Sequence, residues 1–271
     1  MIKNAIGIID SGVEGFNILD TLTKKFKHEN FIYINDLKHY PYFNMTETEA
    51  LEVIKSNVER LMDLEVKLIL VVSDVIVDLA KDYFASLSVP VFDVVSLLID
   101  YINENYEQKN IALFGLNEVL EANLYQKNFK YNRLYNIPSN ELEELIMNKG
   151  LKTSKSFLKT KETFKQLKGK GLDVIIASSP YLILLKTEIE EFLSFNEITD
   201  FGEIVANKIH NEFMDLNIKG RGKVTVLGNI DKSKFFHMTS WTTFKYKYND
   251  LDKKNRKQKL KKFKQISNQQ K

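Results

Sequence analysis

Lys67–Asp78 reads KLILVVSDVIVD, and Leu172–Leu184 reads LDVIIASSPYLIL. Each is an apolar run, then small or polar residues, then a second apolar segment. A short apolar run without polar alternation predicts a strand buried on both faces. Working outward, similar runs at Ala5–Ile9, Phe31–Ile34, Val89–Asp93, Asn110–Phe114 and Lys223–Val226 alternate with helical patterns such as Thr48–Met62 and Val95–Asn105. Thr46 and Glu49 have the spacing of a capping box at the first of these helices. Strands separated by helices predict an α/β fold with parallel sheets covered on both faces. The two echoing stretches, about 105 residues apart, predict two similar α/β lobes.

Ligands of open α/β sheets bind beyond the carboxyl ends of the strands. The groups at those ends are Asp10-Ser11-Gly12, Ser73-Asp74, Gly115 and Ser178-Ser179. They form the candidate site on topology alone.

Composition narrows the chemistry. The 271 residues are 44% hydrophobic, enough for one large domain or two small ones. There is no cysteine, which excludes disulfides and thiolate metal sites. His28, His39, His210 and His237 are scattered, so no metal centre is expected. Met1–Ile9 lacks the pattern of a secretory signal, and no stretch reaches the roughly 18–20 apolar residues that span a bilayer. A cytoplasmic location is the expectation. The net charge of +3 is unevenly divided: Asp252–Lys271 holds nine Lys/Arg and one acid, hence +8, which leaves −5 for the rest. Residues 251–271 are expected to be a disordered basic tail able to attach to an anionic partner such as nucleic acid.

Six stretches carry a family resemblance. IGIIDSGVEGFNIL (Ile6–Leu19) resembles the opening of glutamate racemases. FIYINDLKHYPYF (Phe31–Phe43) is similar to their segment with Asp followed by Pro-Tyr-Gly. LILVVSDVIV (Leu68–Val77) and DVIIASSPYLILL (Asp173–Leu185) resemble the segments bearing their two catalytic cysteines. IALFGLNEVLEANLYQKNF (Ile111–Phe129) and EITDFGEIVA (Glu197–Ala206) resemble their middle turn and late acidic motif. In order, the six span roughly residues 5 to 206, with a weaker echo through Val224–Lys247.

The resemblance implies an aspartate/glutamate racemase fold: a first lobe of residues 1–95 plus 207–250, a second lobe of 96–206, and a substrate cleft between them. It implies cofactor-independent chemistry in which one thiolate removes the α-proton of glutamate and a second thiol returns a proton to the opposite face. It implies an amino-acid or other small-molecule ligand held by Asp10, Ser11, Pro41, Tyr42, Ser73, Asp74, Gly115, Ser178 and Ser179. A homodimer also follows from it.

The departures fall on the chemistry. Serine stands at both cysteine positions, Ser73 and Ser178. The first Cys-Asn-Thr becomes Ser73-Asp74-Val75, the second Cys-Thr-His becomes Ser178-Ser179-Pro180, the middle Gly-Thr becomes Gly115-Leu116, and a loop glycine becomes Glu14. A thiol ionises near pH 8.5, whereas a serine hydroxyl needs an adjacent base. Asp74 and Glu14 also bring negative charge to a site for a dianion. The chain therefore reads as a pseudoenzyme or binding protein that keeps the interlobe cleft. The alternatives are an active racemase or isomerase using a carboxylate such as Asp10 or Asp74, and an anion binder acting through the tail.

Overall fold

The computed structural model describes residues 4–252, apart from 149, 195 and 196. Its elements run β1 (Ala5–Asp10), α1 (Gly15–Lys25), β2 (Asn30–Asn35), α2 (Glu47–Asp63), β3 (Leu68–Val71), α3 (Asp74–Ala85), β4 (Val91–Asp93), α4 (Val94–Asn105), β5 (Lys109–Gly115), α5 (Asn117–Glu121), β6 (Tyr131–Pro138), α6 (Asn140–Met147), α7 (Ser154–Phe164), β7 (Val174–Ala177), α8 (Lys186–Leu193), α9 (Phe201–Glu212), β8 (Val224–Gly228), α10 (Lys232–Met238) and β9 (Tyr246–Asp250). The strands form two sheets, ordered β4-β3-β1-β2-β8-β9 and β6-β5-β7. Every strand pair is parallel.

β1, β3 and β7 are buried along their whole length, as continuous apolar runs require once helices cover both faces. The capping box at the start of α2 is formed: the Glu49 amide donates to Thr46 Oγ1 at 3.3 Å, and the Thr46 amide donates to Glu49 Oε2 at 3.1 Å. Ser73 and Asp93 cap α3 and α4 in the same manner.

Three sequence expectations change. β6 and β9 carry no apolar run, because both are edge strands with mixed faces. The lobe boundaries at 95/96 and 206/207 fall inside α4 and α9, and α9 packs on both α1 and α4. Hydrophobic periodicity marks a helix but not which sheet it covers. Leu251, assigned to the tail, is 4% exposed, and its amide donates to the Gly228 carbonyl at 2.6 Å. The fold therefore continues past β9, and residues 253–271 of the expected tail lie outside the described residues.

Among the described residues, no helix is long and apolar enough to cross a membrane.

Truncating a buried leucine removes its transfer energy and leaves a void. Leu251→Ala should therefore cost about 2–4 kcal/mol, read as a lower urea midpoint at unchanged m-value. A change below ~0.5 kcal/mol, the usual size for a surface site, would place Leu251 outside the core.

Candidate functional site

The carboxyl ends of both sheets meet at one place. A void of about 20 Å³ is lined by Val72 and Asp74 after β3, Glu14 from the β1–α1 turn, Leu116 and Val119 after β5, and Ser178, Ser179 and Pro180 after β7. A second void of about 10 Å³ adjoins Glu14, and is bounded by Val13, Tyr40, Glu143, Met147 and Tyr181 among others. Glu14 lines both, so its side chain partitions the cleft. A water needs roughly 10–15 Å³ of such space, so the cleft in this arrangement has room for about one.

Asp10 organises the first-lobe side. Its Oδ1 accepts from the Gly12 amide and its Oδ2 from the Gly15 amide, both at 2.9 Å. Oδ2 also accepts from the Tyr33 hydroxyl. Gly15 is required here, since a Cβ would overlap the Val72 side chain. Burial raises the Asp10 pKa, and these hydrogen bonds oppose the rise.

The two serines at the cysteine positions differ. The Ser73 hydroxyl lies 3.0 Å from Ser11 Oγ and caps α3 by accepting from the Ile76 amide at 3.5 Å. Ser178 Oγ and Ser179 Oγ are buried without a hydrogen-bond partner among the described residues. Ser178 lies against the Cα of Gly115, where a Cβ would collide with its hydroxyl. Neither serine hydroxyl touches a histidine or carboxylate that could take its proton.

What surrounds them is acid. Asp74 has a pKa near 7, raised by burial first and then by Asp10 and Asp78, against the hydrogen bond from the Val75 amide. Glu143, 4% exposed, has a pKa near 8 for the same reason, with Asp74 and Glu118 adding to it and the Ser139 hydroxyl lowering it. Burial raises Glu14 well above the carboxylate range, and Asp10, Glu143 and Asp74 raise it further. Asp74 and Glu143 sit in the first turns of α3 and α6, and Glu14 immediately precedes α1. Helix N-termini offset part of the mutual repulsion. Among the described residues, none of the four acids forms an ion pair, and no group of acids and histidines is arranged to hold a metal ion.

Of the residues expected at the site, Asp74, Ser178 and Ser179 line the first void. Asp10, Ser11, Ser73 and Gly115 lie behind its wall, and Pro41 and Tyr42 line neither void. Tyr42 is 2% exposed and donates to Asp36 Oδ2 at 2.7 Å. Asp36 also takes Asn57 at 3.0 Å and His39 at 2.7 Å, so this polar knot tightens the first lobe rather than facing a ligand. Tyr40, two residues earlier, occupies the cleft position instead. Glu143 escaped the sequence analysis because it lies in a helix with no motif; its only signal is an acid in the first turn after a strand end.

No protein-family profile matches the chain. A glutamate racemase from Clostridium acetobutylicum is 24% identical over 246 residues, covering 88% of this chain and 96% of its own. The structure of a glutamate racemase isoform from Bacillus anthracis matches with a TM-score of 0.80 and 20% identity, over 92% of this chain and 98% of that one. The chain is similar in sequence to glutamate racemases and has their fold. A Thermus thermophilus glutamate racemase, determined in complex with β-chloro-D-alanine, matches with a TM-score of 0.78 and 22% identity, over 92% and 98% of the two chains. The chain therefore keeps the fold of these racemases over nearly their whole length.

The acids and serines of the site can be tested separately. Glu143 titrates near 4.5 when unfolded and near 8 when folded. Between those values the folded chain binds the extra proton, so this group's contribution to stability falls as pH rises through that window and levels above it. Its upper bound is about 5 kcal/mol. Glu143→Gln, which mimics the protonated side chain, should raise the melting temperature at pH 8 and leave it nearly unchanged at pH 5. Equal melting temperatures at pH 8 would mean that Glu143 is not held protonated. For the serines, Ser73→Ala should cost about 1 kcal/mol through the lost cap, whereas Ser178→Ala should be neutral or stabilising because it removes a buried unpartnered hydroxyl. Urea midpoints of the two variants decide this.

Proposed function

We propose that this chain is a racemase-family protein without the family's thiol-based proton transfer, a pseudoenzyme or binding protein that retains the interlobe cleft. One observation carries the reading: the two serines at the strand ends have no base hydrogen-bonded to them, and Glu14, Asp74 and Glu143 line the space where a substrate would sit. General acid–base catalysis contributes about 10²–10⁴-fold where the acting group has a pKa near the working pH. A serine hydroxyl without a base supplies none of that. Glutamate at neutral pH would bring two carboxylates into a cleft that has no cation among the described residues and a wall formed by Glu14. Uncompensated like charges in a desolvated site are costly. The ligand classes that suit such a cleft are neutral or cationic.

A second reading has an observation in its favour. Asp74 near pKa 7 and Glu143 near pKa 8 are matched to proton transfer at neutral pH. They come from opposite lobes. An isomerase using this carboxylate pair would act on a substrate less acidic than glutamate. A cytoplasmic location and a homodimer are further parts of the proposal, resting on the family relationship.

The test is exchange of the Cα proton with solvent deuterium across a panel of L- and D-amino acids, including glutamate and aspartate. No exchange above background is expected for the wild-type protein. Exchange that disappears in Asp74→Asn and Glu143→Gln would select the second reading. The double variant Ser73→Cys/Ser178→Cys should still fail to racemise glutamate, because Glu14 still fills the cleft and no cation lines it among the described residues to pair with the substrate's carboxylates. Robust D-glutamate formation by either protein would overturn the main reading.

A further inference from the structure

A second concavity lies away from the cleft, on the six-stranded sheet. It is a groove of about 1060 Å³ between the C-terminal end of α2 and the outer strands β8 and β9. The strand register defines its floor. Ile32, Thr225 and Lys247 are aligned across β2, β8 and β9, and so are Ile34, Leu227 and Asn249 one step along. The alternate residues of β9, Tyr246 and Tyr248, turn to the other face and pack on Phe235. No helix covers the groove face of β8 and β9, where Lys247 is exposed and Thr225 and Leu227 are half-buried.

Its charge is out of keeping with the body. Arg60, Arg221, Lys223, Lys245 and Lys247 line it, against Asp63 and Asp250. Among the described residues none of the five cations forms an ion pair, and four of them are exposed. Residues 253–271 carry nine Lys/Arg and no acid, so residues 1–252 carry −6. The groove is thus locally positive on an acidic body.

We propose that this β8–β9 groove binds single-stranded nucleic acid through its phosphates. A concave floor suits a linear polyanion and not a planar lipid surface. Positively charged grooves that track a backbone are the common device for single strands. Tyr246 and Tyr248 border the groove, but their rings pack on Phe235 and are not free to stack bases. Binding is therefore independent of base identity, comparable for RNA and DNA, and strongly dependent on salt. The proposal does not rest on the cleft having or lacking catalysis.

The test is fluorescence anisotropy of the full chain with labelled oligo(dT) and oligo(U) at a series of KCl concentrations. Wild type should bind both within a few-fold of each other. The surface variant Lys223→Glu/Lys245→Glu/Lys247→Glu should weaken binding by tenfold or more. Removing three cations that each neutralise a phosphate of a single strand should also flatten the slope of log Kd against log[KCl] by about 2. The control Lys155→Glu/Lys161→Glu, on exposed positions of α7 in the other lobe, should leave affinity within about twofold. Circular dichroism checks folding, and Arg221→Gln/Lys245→Gln serves if the triple variant misfolds. No binding by wild type at 50 mM KCl would overturn the proposal, as would equal affinity of the groove variant. An equal loss in the control would overturn it too, because net charge alone would then account for binding. Displacement of the oligonucleotide by poly-glutamate at equal charge concentration would point instead to an acidic polypeptide.

Discussion

The Asp10 carboxylate accepts from the Gly12 and Gly15 amides and from the Tyr33 hydroxyl, and so fixes the turn from β1 into α1. The rest of the cleft depends on that turn. Gly15 can then approach Val72 at the end of β3, Ser11 can meet Ser73, and Glu14 is delivered into the space between the sheets. Asp10 thus serves architecture. Both of its oxygens are engaged by its own lobe, which leaves Asp74 and Glu143 as the acids free to exchange a proton in the cleft.

The cleft gathers acids from both lobes without a counter-cation among the described residues. Burial disfavours their charged forms, so the arrangement is stable because several of them stay protonated near neutrality. That is a weak design for holding a dianion and a workable one for a neutral or cationic group. The hydroxyls of Ser178 and Ser179 find no hydrogen-bond partner among the described residues.

The molecule separates its charges. Acids are concentrated where the two sheets meet, and cations on the outer face of β8 and β9 and in the segment that follows. The aromatic cluster of Phe16, Phe235, Phe244 and Tyr246 ties that outer edge back to α1. The groove is therefore built on the same rigid lobe as the cleft, but on a face that shares none of its lining residues.

Sequence alone determined the parallel α/β frame. Central strands buried on both faces need continuous apolar runs, and the capping residues Thr46, Ser73 and Asp93 stand at fixed offsets from their helices. It also placed Asp10, Ser73, Gly115 and Ser178 at carboxyl strand ends, because a strand's end is a local property. Only the tertiary structure decided what those groups meet. β6 and β9 have one open face and hence no apolar signature. Leu251 gains its burial from β8, which lies more than twenty residues earlier. The hydroxyl of Tyr42 donates to Asp36, a partner that no local spacing marks. Glu143 has no local mark at all; its pKa and its place opposite Glu14 arise from the approach of two sheets distant in sequence. Desolvation and through-space charge are properties of the assembled volume, and no spacing along the chain encodes them.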